Sequence, residues 1–127
     1  MIAADSSSLI AYLSGASGHD VDAIDRALGD QQLCLPPVVL TELFSDPKLP
    51  QQLAAVLRQI PLLEATSGFW ERAGRLRSSV VARKRRARLA DALIAQSCLD
   101  HDLALITRDL DFGVFAEIAD LKILAAP

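Results

Sequence analysis

Only two histidines and two cysteines occur in 127 residues, and the chemistries that depend on them are poorly supplied. Cys34 and Cys98 each sit alone in apolar surroundings. Neither has a metal-like partner nearby, so both read as reduced core residues of a cytoplasmic protein, and a zinc site is not expected. His19 and His101 stand beside solvent-type residues, which argues against a histidine-dependent nuclease. The chain has no glycine-rich phosphate loop and no nucleophile elbow. No apolar run reaches the roughly 20 residues that span a bilayer, so no membrane contact is expected. The start, Met1-Ile2-Ala3-Ala4-Asp5, lacks the basic flank and long apolar stretch of a signal peptide. Internal repeats and low-complexity linkers are missing too, and the length fits one domain over 1–127.

What the chain has is apolar content and unevenly placed charge. It is 51% hydrophobic, enough to build a core, and its net charge is -3. The segment from Glu71 to Arg88 holds eight basic residues and one acid, a charge of +7, which leaves -10 on the rest. Such a division suits a protein that meets a polyanion on one surface and gathers carboxylates elsewhere.

Apolar runs and helical periodicities alternate along the chain. Strands are expected at Met1–Ala4, Gln32–Leu35, Leu103–Thr107 and Leu121–Leu124, with a weaker edge strand at Pro61–Leu63 because proline is confined to edges. Ser6 to Ser8 can cap a helix over about Leu9–Leu13. Apolar spacing predicts further helices over 21–28, 38–45, 53–60, 66–81 and 89–101. The alternation implies a mainly parallel sheet covered on both faces, a three-layer α/β/α sandwich.

Ligands of open parallel sheets bind beyond the carboxyl ends of the strands. Asp5 follows the first strand and Asp109 lies two residues after the Leu103–Thr107 strand, so each is a site candidate or, alternatively, a helix cap or Asx turn. Asp91 has Ile94, Ala95 and Cys98 at three, four and seven positions on. It therefore enters the protein at the first turn of an apolar helix, where a favourable dipole contact would be the plainer explanation. Glu42 shares a short helix with Thr41 and Ser45, which form either its solvent stripe or its contribution to the sheet rim. Two carboxylates 4 Å apart repel by roughly 4 kcal/mol at an effective dielectric of 20. A convergent quartet thus needs protons or a cation, and oxygen donors without imidazole or thiolate suit Mg²⁺ or Mn²⁺.

These pieces carry a resemblance over nearly the whole chain. Asp5 in "MIAADSSSLIAYL", Glu42 in "PPVVLTELF", Asp91 in "RLADALIAQSCL", and Thr107 with Asp109 in "LALITRDLDF" resemble the motifs of the PIN domains, most closely the small VapC-type toxin ribonucleases of toxin–antitoxin pairs. The resemblance implies a Mg²⁺- or Mn²⁺-dependent endoribonuclease. In it Asp5, Glu42, Asp91 and Asp109 form the acidic quartet, with Asp5, Asp91 and Asp109 as metal ligands and Thr107 in support. It also implies RNA as substrate, a cognate antitoxin as partner, and a homodimer. Asp111 either supports the site from behind the metal ligands or only caps the turn before Phe112, the cap being the favoured reading. The run Leu43-Phe44-Ser45-Asp46 departs from the small residue that many relatives place soon after the glutamate.

The segment Arg83-Lys84-Arg85-Arg86, with Arg88, lies just upstream of Asp91. It is expected to hold RNA phosphates against the repulsion of the acids, the plainer alternative being a solvated helix end. Leu9, Leu13, Leu40 and Phe44 serve either the core or an interface. Two rival readings stand beside the nuclease. A receiver-type signalling domain wants paired acids after its first strand, a central acceptor Asp and a late Lys, whereas here Asp5 is single and Pro36-Pro37 occupies the central position. A non-catalytic PIN-like RNA- or protein-binding module would have supported itself by lacking the acids.

Overall fold

Four short apolar segments make the sheet of this computed structural model, which describes residues 1–125. They are β1 (Ile2–Ala4), β2 (Leu33–Cys34), β3 (Leu105–Thr107) and β4 (Ile123–Ala125). All pair in parallel, in the order β2-β1-β3-β4. Helices cover both faces, so the strands need no polar alternation, and Ala3, Ala4, Leu105 and Ile106 are fully buried. The expected edge strand near Pro61 is a single parallel bridge, Leu35 to Leu62. Pro61 contributes its carbonyl to Leu35 N–H at 2.9 Å but has no N–H with which to extend a ladder.

The connecting helices are α1 (Ser6–Leu13), α2 (His19–Gly29), α3 (Pro37–Phe44), α4 (Gln51–Gln59), α5 (Phe69–Ala82), α6 (Leu89–Asp100) and α7 (Gly113–Ala119), with a 3₁₀ turn over Leu110–Phe112. α2 meets β2, β3 and β4 and has α1 beside it, while α6 packs against both α3 and α5. The arrangement is the three-layer α/β/α sandwich.

Three local features have physical causes. First, α1 begins at Ser6, because the cap is Asp5, whose Oδ1 accepts from Ser8 N–H at 3.2 Å. Ser7 and Ser8 turn their hydroxyls to Asp5 and Asp20 instead. Second, α7 has no counterpart in the periodicity. Its seven residues make two turns, too short for a repeat, yet Val114 and Phe115 are buried and the helix packs on α5. Third, α6 is not amphipathic. Gln96 and Ser97 are buried along with Ile94, Ala95 and Cys98, and Gln96 satisfies its amide by donating to Asp100 Oδ1 at 2.8 Å.

Helix ends also shape the basic segment. Arg83 caps α5, Lys84 takes the left-handed conformation at φ 57°, and the Lys84 and Arg85 N–H groups return to the carbonyls of Val81 and Val80. This is a Schellman closure with lysine where glycine is the usual occupant. It lifts 83–86 off the helix as an exposed turn leading into α6.

Candidate metal centre

The site starts from the pairing of the two central strands. β1 and β3 are adjacent in register although their paired residues are 102 apart in sequence, Ala4 opposite Ile106, and Asp5 N–H donates to the Ile106 carbonyl at 3.1 Å. Parallel strands end on the same side, so Asp5 and Thr107 emerge together. Asp5 is 2% exposed. Its Oδ2 accepts from Thr107 Oγ1 at 2.7 Å, and Ser7 Oγ donates to Oδ1 and Oδ2 at 2.8 and 3.0 Å. Thr107 Oγ1 in turn accepts from Asp109 N–H at 3.0 Å. One hydroxyl thus ties the first acid to the backbone of the last.

Asp109 then uses Oδ1 to accept from Asp111 N–H at 2.9 Å, capping the 3₁₀ turn. The capping expected of Asp111 therefore belongs to Asp109. Asp111 is instead held by the turn so that its carboxylate faces Asp91. Oxygens of Asp91, Asp109 and Asp111 lie within 4.8 Å of one another. Asp91 arrives from the first turn of α6 and is 7% exposed. Asp5 and Glu42 stand outside this tight group, Asp5 because its oxygens are turned to Thr107, Ser7 and Ser8. Glu42, from the last turns of α3, accepts from Ser6 Oγ at 3.3 Å.

The five acids nonetheless share one field. Burial pushes the Asp91 carboxyl up to about 6, with repulsion from Asp109, Glu42 and Asp111 adding to it and Arg88 opposing it. Burial also raises Asp5 above the usual carboxylate range, and Asp109 adds to the rise against the hydrogen bonds from Thr107, Ser7 and Ser8. Glu42 is raised by burial as well, with Asp5 and Asp109 contributing and Ser6 and Arg88 opposing. Arg88 Nη2 stands 3.9 Å from Asp111 Oδ2, with both side chains mostly exposed, so it offsets little of this charge. Cap and site were alternatives in the sequence; here Asp5 and Asp109 both act as caps, and Asp109 also belongs to the tight carboxylate group.

Several residues that anchor the site carry no sequence signal. Arg108 lies between Thr107 and Asp109 and forms a two-pronged pair with Asp20, Nε to Oδ2 at 2.7 Å and Nη2 to Oδ1 at 2.9 Å. Asp20 is fully buried and also accepts from Ser8 Oγ at 2.8 Å. The Arg108 guanidinium holds its carboxyl down to about 2 despite burial, and Ser8 helps. The pair locks the β3 exit against the start of α2. Gly18 makes room for it: at φ +147° it carries no Cβ, and one would lie 2.6 Å from Asp20 Oδ1. A charged pair 88 residues apart, or a serine two places after an aspartate, has no pattern by which it could be read.

The basic segment comes close to the acids unevenly. Lys84, Arg85 and Arg86 line a cleft with Leu110, Asp111 and Val114, and Arg88 enters the field of Asp91 and Glu42. Arg83, at the α5 cap, does not line that cleft. Of the apolar residues left open by the sequence, Leu9 is core at 1% exposed and Leu40 packs against the core. Leu13 lines a second cleft beside Glu42 with Ile10, Leu43, Leu49, Pro50 and Leu53. Phe44 is 38% exposed under the Arg58 guanidinium.

The donor set fits a hard cation. It offers carboxylate oxygens alone, three of them closely grouped, with like charge that protons or a divalent ion must offset.

The family model described as "PIN domain" matches residues 2–120. Among solved structures, VapBC2 from Rickettsia felis, bound to a DNA fragment from its promoter, is 16% identical with a TM-score of 0.76, covering 98% of each chain. VapBC-5 of Mycobacterium tuberculosis is 23% identical with a TM-score of 0.70, over 98% of this chain and 97% of that one. A toxin–antitoxin complex from Klebsiella pneumoniae is 22% identical with a TM-score of 0.72, over 98% and 97%. At these identities the likeness establishes the fold. No curated protein matches the sequence.

Proposed function

The chain belongs to the PIN domain family, and from that premise and its acidic cluster we propose that it is a Mg²⁺- or Mn²⁺-dependent endoribonuclease, the toxin of a toxin–antitoxin pair. The observation that carries the reading is the grouping of Asp91, Asp109 and Asp111 oxygens within 4.8 Å, with Asp91 pushed up to about 6. Membership of the family removes the receiver-type alternative.

Asp91, Asp109 and Asp111 would hold the ion, with Asp5 beside them and Glu42 across the rim. Such an ion would supply Lewis acidity, lowering the pKa of water so that hydroxide could attack a phosphodiester, and would offset charge at phosphorus. The rest falls to the protein. Thr107 and Ser7 fix the Asp5 carboxylate by hydrogen bonds to both oxygens, leaving it little freedom to reorient. Thr107 and the Asp109 cap hold the 109–111 turn, and Arg108 anchors its root to Asp20. Glu42, raised but more open than Asp5, would accept a proton near the reacting phosphate. Lys84, Arg85, Arg86 and Arg88 draw the RNA backbone in, with Arg83 extending the positive surface.

The neighbouring folds are toxin–antitoxin complexes, and this protein is read in the same way as one partner of such a pair. The apolar cleft beside Glu42 gives an antitoxin segment a seat next to the acids. A homodimer is part of the same reading. The deciding experiment is cleavage of a mixed single-stranded RNA in Mg²⁺ or Mn²⁺, with and without EDTA. Metal-dependent cleavage is expected, lost in Asp91→Asn with the circular dichroism spectrum unchanged. RNA binding with no cleavage in either metal would instead establish the non-catalytic module.

A further inference from the structure

Asp109 and Asp111 reach the acid group on one short turn, 108–112, whereas Asp91 comes separately from α6. The spacing of the three therefore depends on where that turn is held. Leu110 and Asp111 are exposed, so the turn is fastened at its ends, by buried Phe112 at one and by Arg108 at the other. Arg108 enters a built socket. Its guanidinium takes both oxygens of fully buried Asp20, and Nη2 also donates to the Ser17 carbonyl at 3.2 Å. Gly18 lines the socket without a side chain; a Cβ there would lie 3.1 Å from Arg108 Nη2 as well as 2.6 Å from Asp20 Oδ1. Ser8 joins the socket to the first acid, its Oγ donating to Asp20 Oδ2 at 2.8 Å and its N–H to Asp5 Oδ1 at 3.2 Å. Ser7 makes a second link, its Oγ donating to Asp5 Oδ1 at 2.8 Å and accepting from Arg108 N–H at 3.4 Å. Asp20 thus ties the exits of β1 and β3 to one point, although it lies outside the tight carboxylate group.

We propose that Arg108 and Asp20 are positioning residues of the metal centre, and that by fixing the 108–112 turn they set its preference for Mg²⁺ over Ca²⁺. The inference rests on the metal-centre reading above. Mg²⁺ demands near-octahedral oxygens at about 2.0–2.1 Å, whereas Ca²⁺ accepts irregular sets at about 2.3–2.6 Å. A two-pronged guanidinium fixes direction as well as attraction, and so keeps Asp109 and Asp111 at one distance from Asp91. A turn held by Phe112 alone lets them spread, which Ca²⁺ tolerates and Mg²⁺ does not.

The test separates positioning from stability. Arg108→Met strands a buried anion, whereas the double variant, Asp20→Asn with Arg108→Met, carries none and should regain most of the lost stability. Arg72→Met is the control, since Arg72 makes an equivalent two-pronged pair with Asp100 at the opposite end of α6 from Asp91. Mn²⁺ binding to the full chain is followed by electron paramagnetic resonance, and Mg²⁺ and Ca²⁺ affinities by displacement, where circular dichroism shows every variant folded. In the double variant Mg²⁺ affinity should fall about tenfold or more, and Ca²⁺ affinity less. In EDTA its Asp109 and Asp111 amides, held in wild type by Thr107 Oγ1 and Asp109 Oδ1, should exchange hydrogen faster. Arg72→Met should leave both affinities unchanged. Wild-type affinity in the double variant, an equal fall for both ions, or an equal loss in Arg72→Met overturns the positioning role and leaves the metal centre standing. A wild type that binds none of the three ions sinks both.

Discussion

Asp91 offers the sharpest test of the electrostatics, because its behaviour without metal has a sign. Its carboxyl is raised from 3.8 to about 6 by burial first and by neighbouring acids second. A raised acid binds its proton more tightly in the folded state. Metal-free stability must therefore fall as pH climbs from about 4 to about 6, and the whole deficit is present at neutral pH. Two pKa units correspond to about 3 kcal/mol, and solvent access at the rim lowers that to about 1–3 kcal/mol. Asp91→Asn removes the charge while keeping the shape. Urea denaturation in EDTA at pH 5 and pH 7.5 should show wild type losing stability between the two, and the variant losing less. At pH 7.5 the metal-free variant should be the more stable by about 1–3 kcal/mol. Adding Mg²⁺ or Mn²⁺ should stabilise wild type by mass action and the variant much less. A metal-free variant less stable than wild type at pH 7.5, with the same pH dependence, would refute the claim that Asp91 is held in an uncompensated field.

Other outcomes follow from the anchoring contacts. Arg108→Met leaves the fully buried Asp20 without its cation and should cost roughly 3–5 kcal/mol in urea unfolding at pH 7. The wild-type pair stabilises fully above about 4, and its contribution should disappear as pH falls toward 2, since Asp20 is held down to about 2. Thr107→Val removes the donor to Asp5 and the acceptor for Asp109 N–H. It should lower stability by about 1–3 kcal/mol, and metal affinity measured by calorimetry should drop with it. Gly18→Ala forces a Cβ against Asp20 and should lower the melting temperature, whereas Gly29→Ala, which meets nothing within 4 Å, should not.

The layer order was legible because it depends on local features. Buried strands carry apolar runs such as Leu105-Ile106, and helices such as α2 repeat their apolar residues at Ile24 and Ala27. α7 escaped because two turns cannot show a period, whereas the apolar helix expected over 89–101 is α6, buried on its polar side as well. Asp5, Asp91 and Asp109 were legible singly, each by its place after a strand or on a helix's first turn, whereas Glu42 lies toward the end of α3.

The amino-acid order by itself determined which acids end strands, which begin a helix, and that the basic run leads into Asp91. Those are properties of chain neighbours, set by periodicity and turn chemistry. Only the tertiary structure decided that Asp111 rather than Asp5 completes the tight carboxylate group, that Ser7 and Thr107 hold Asp5, and that Arg108 reaches Asp20. Each of those depends on the direction of a side chain relative to a segment far away in sequence, and that direction exists only once β1 and β3 have paired.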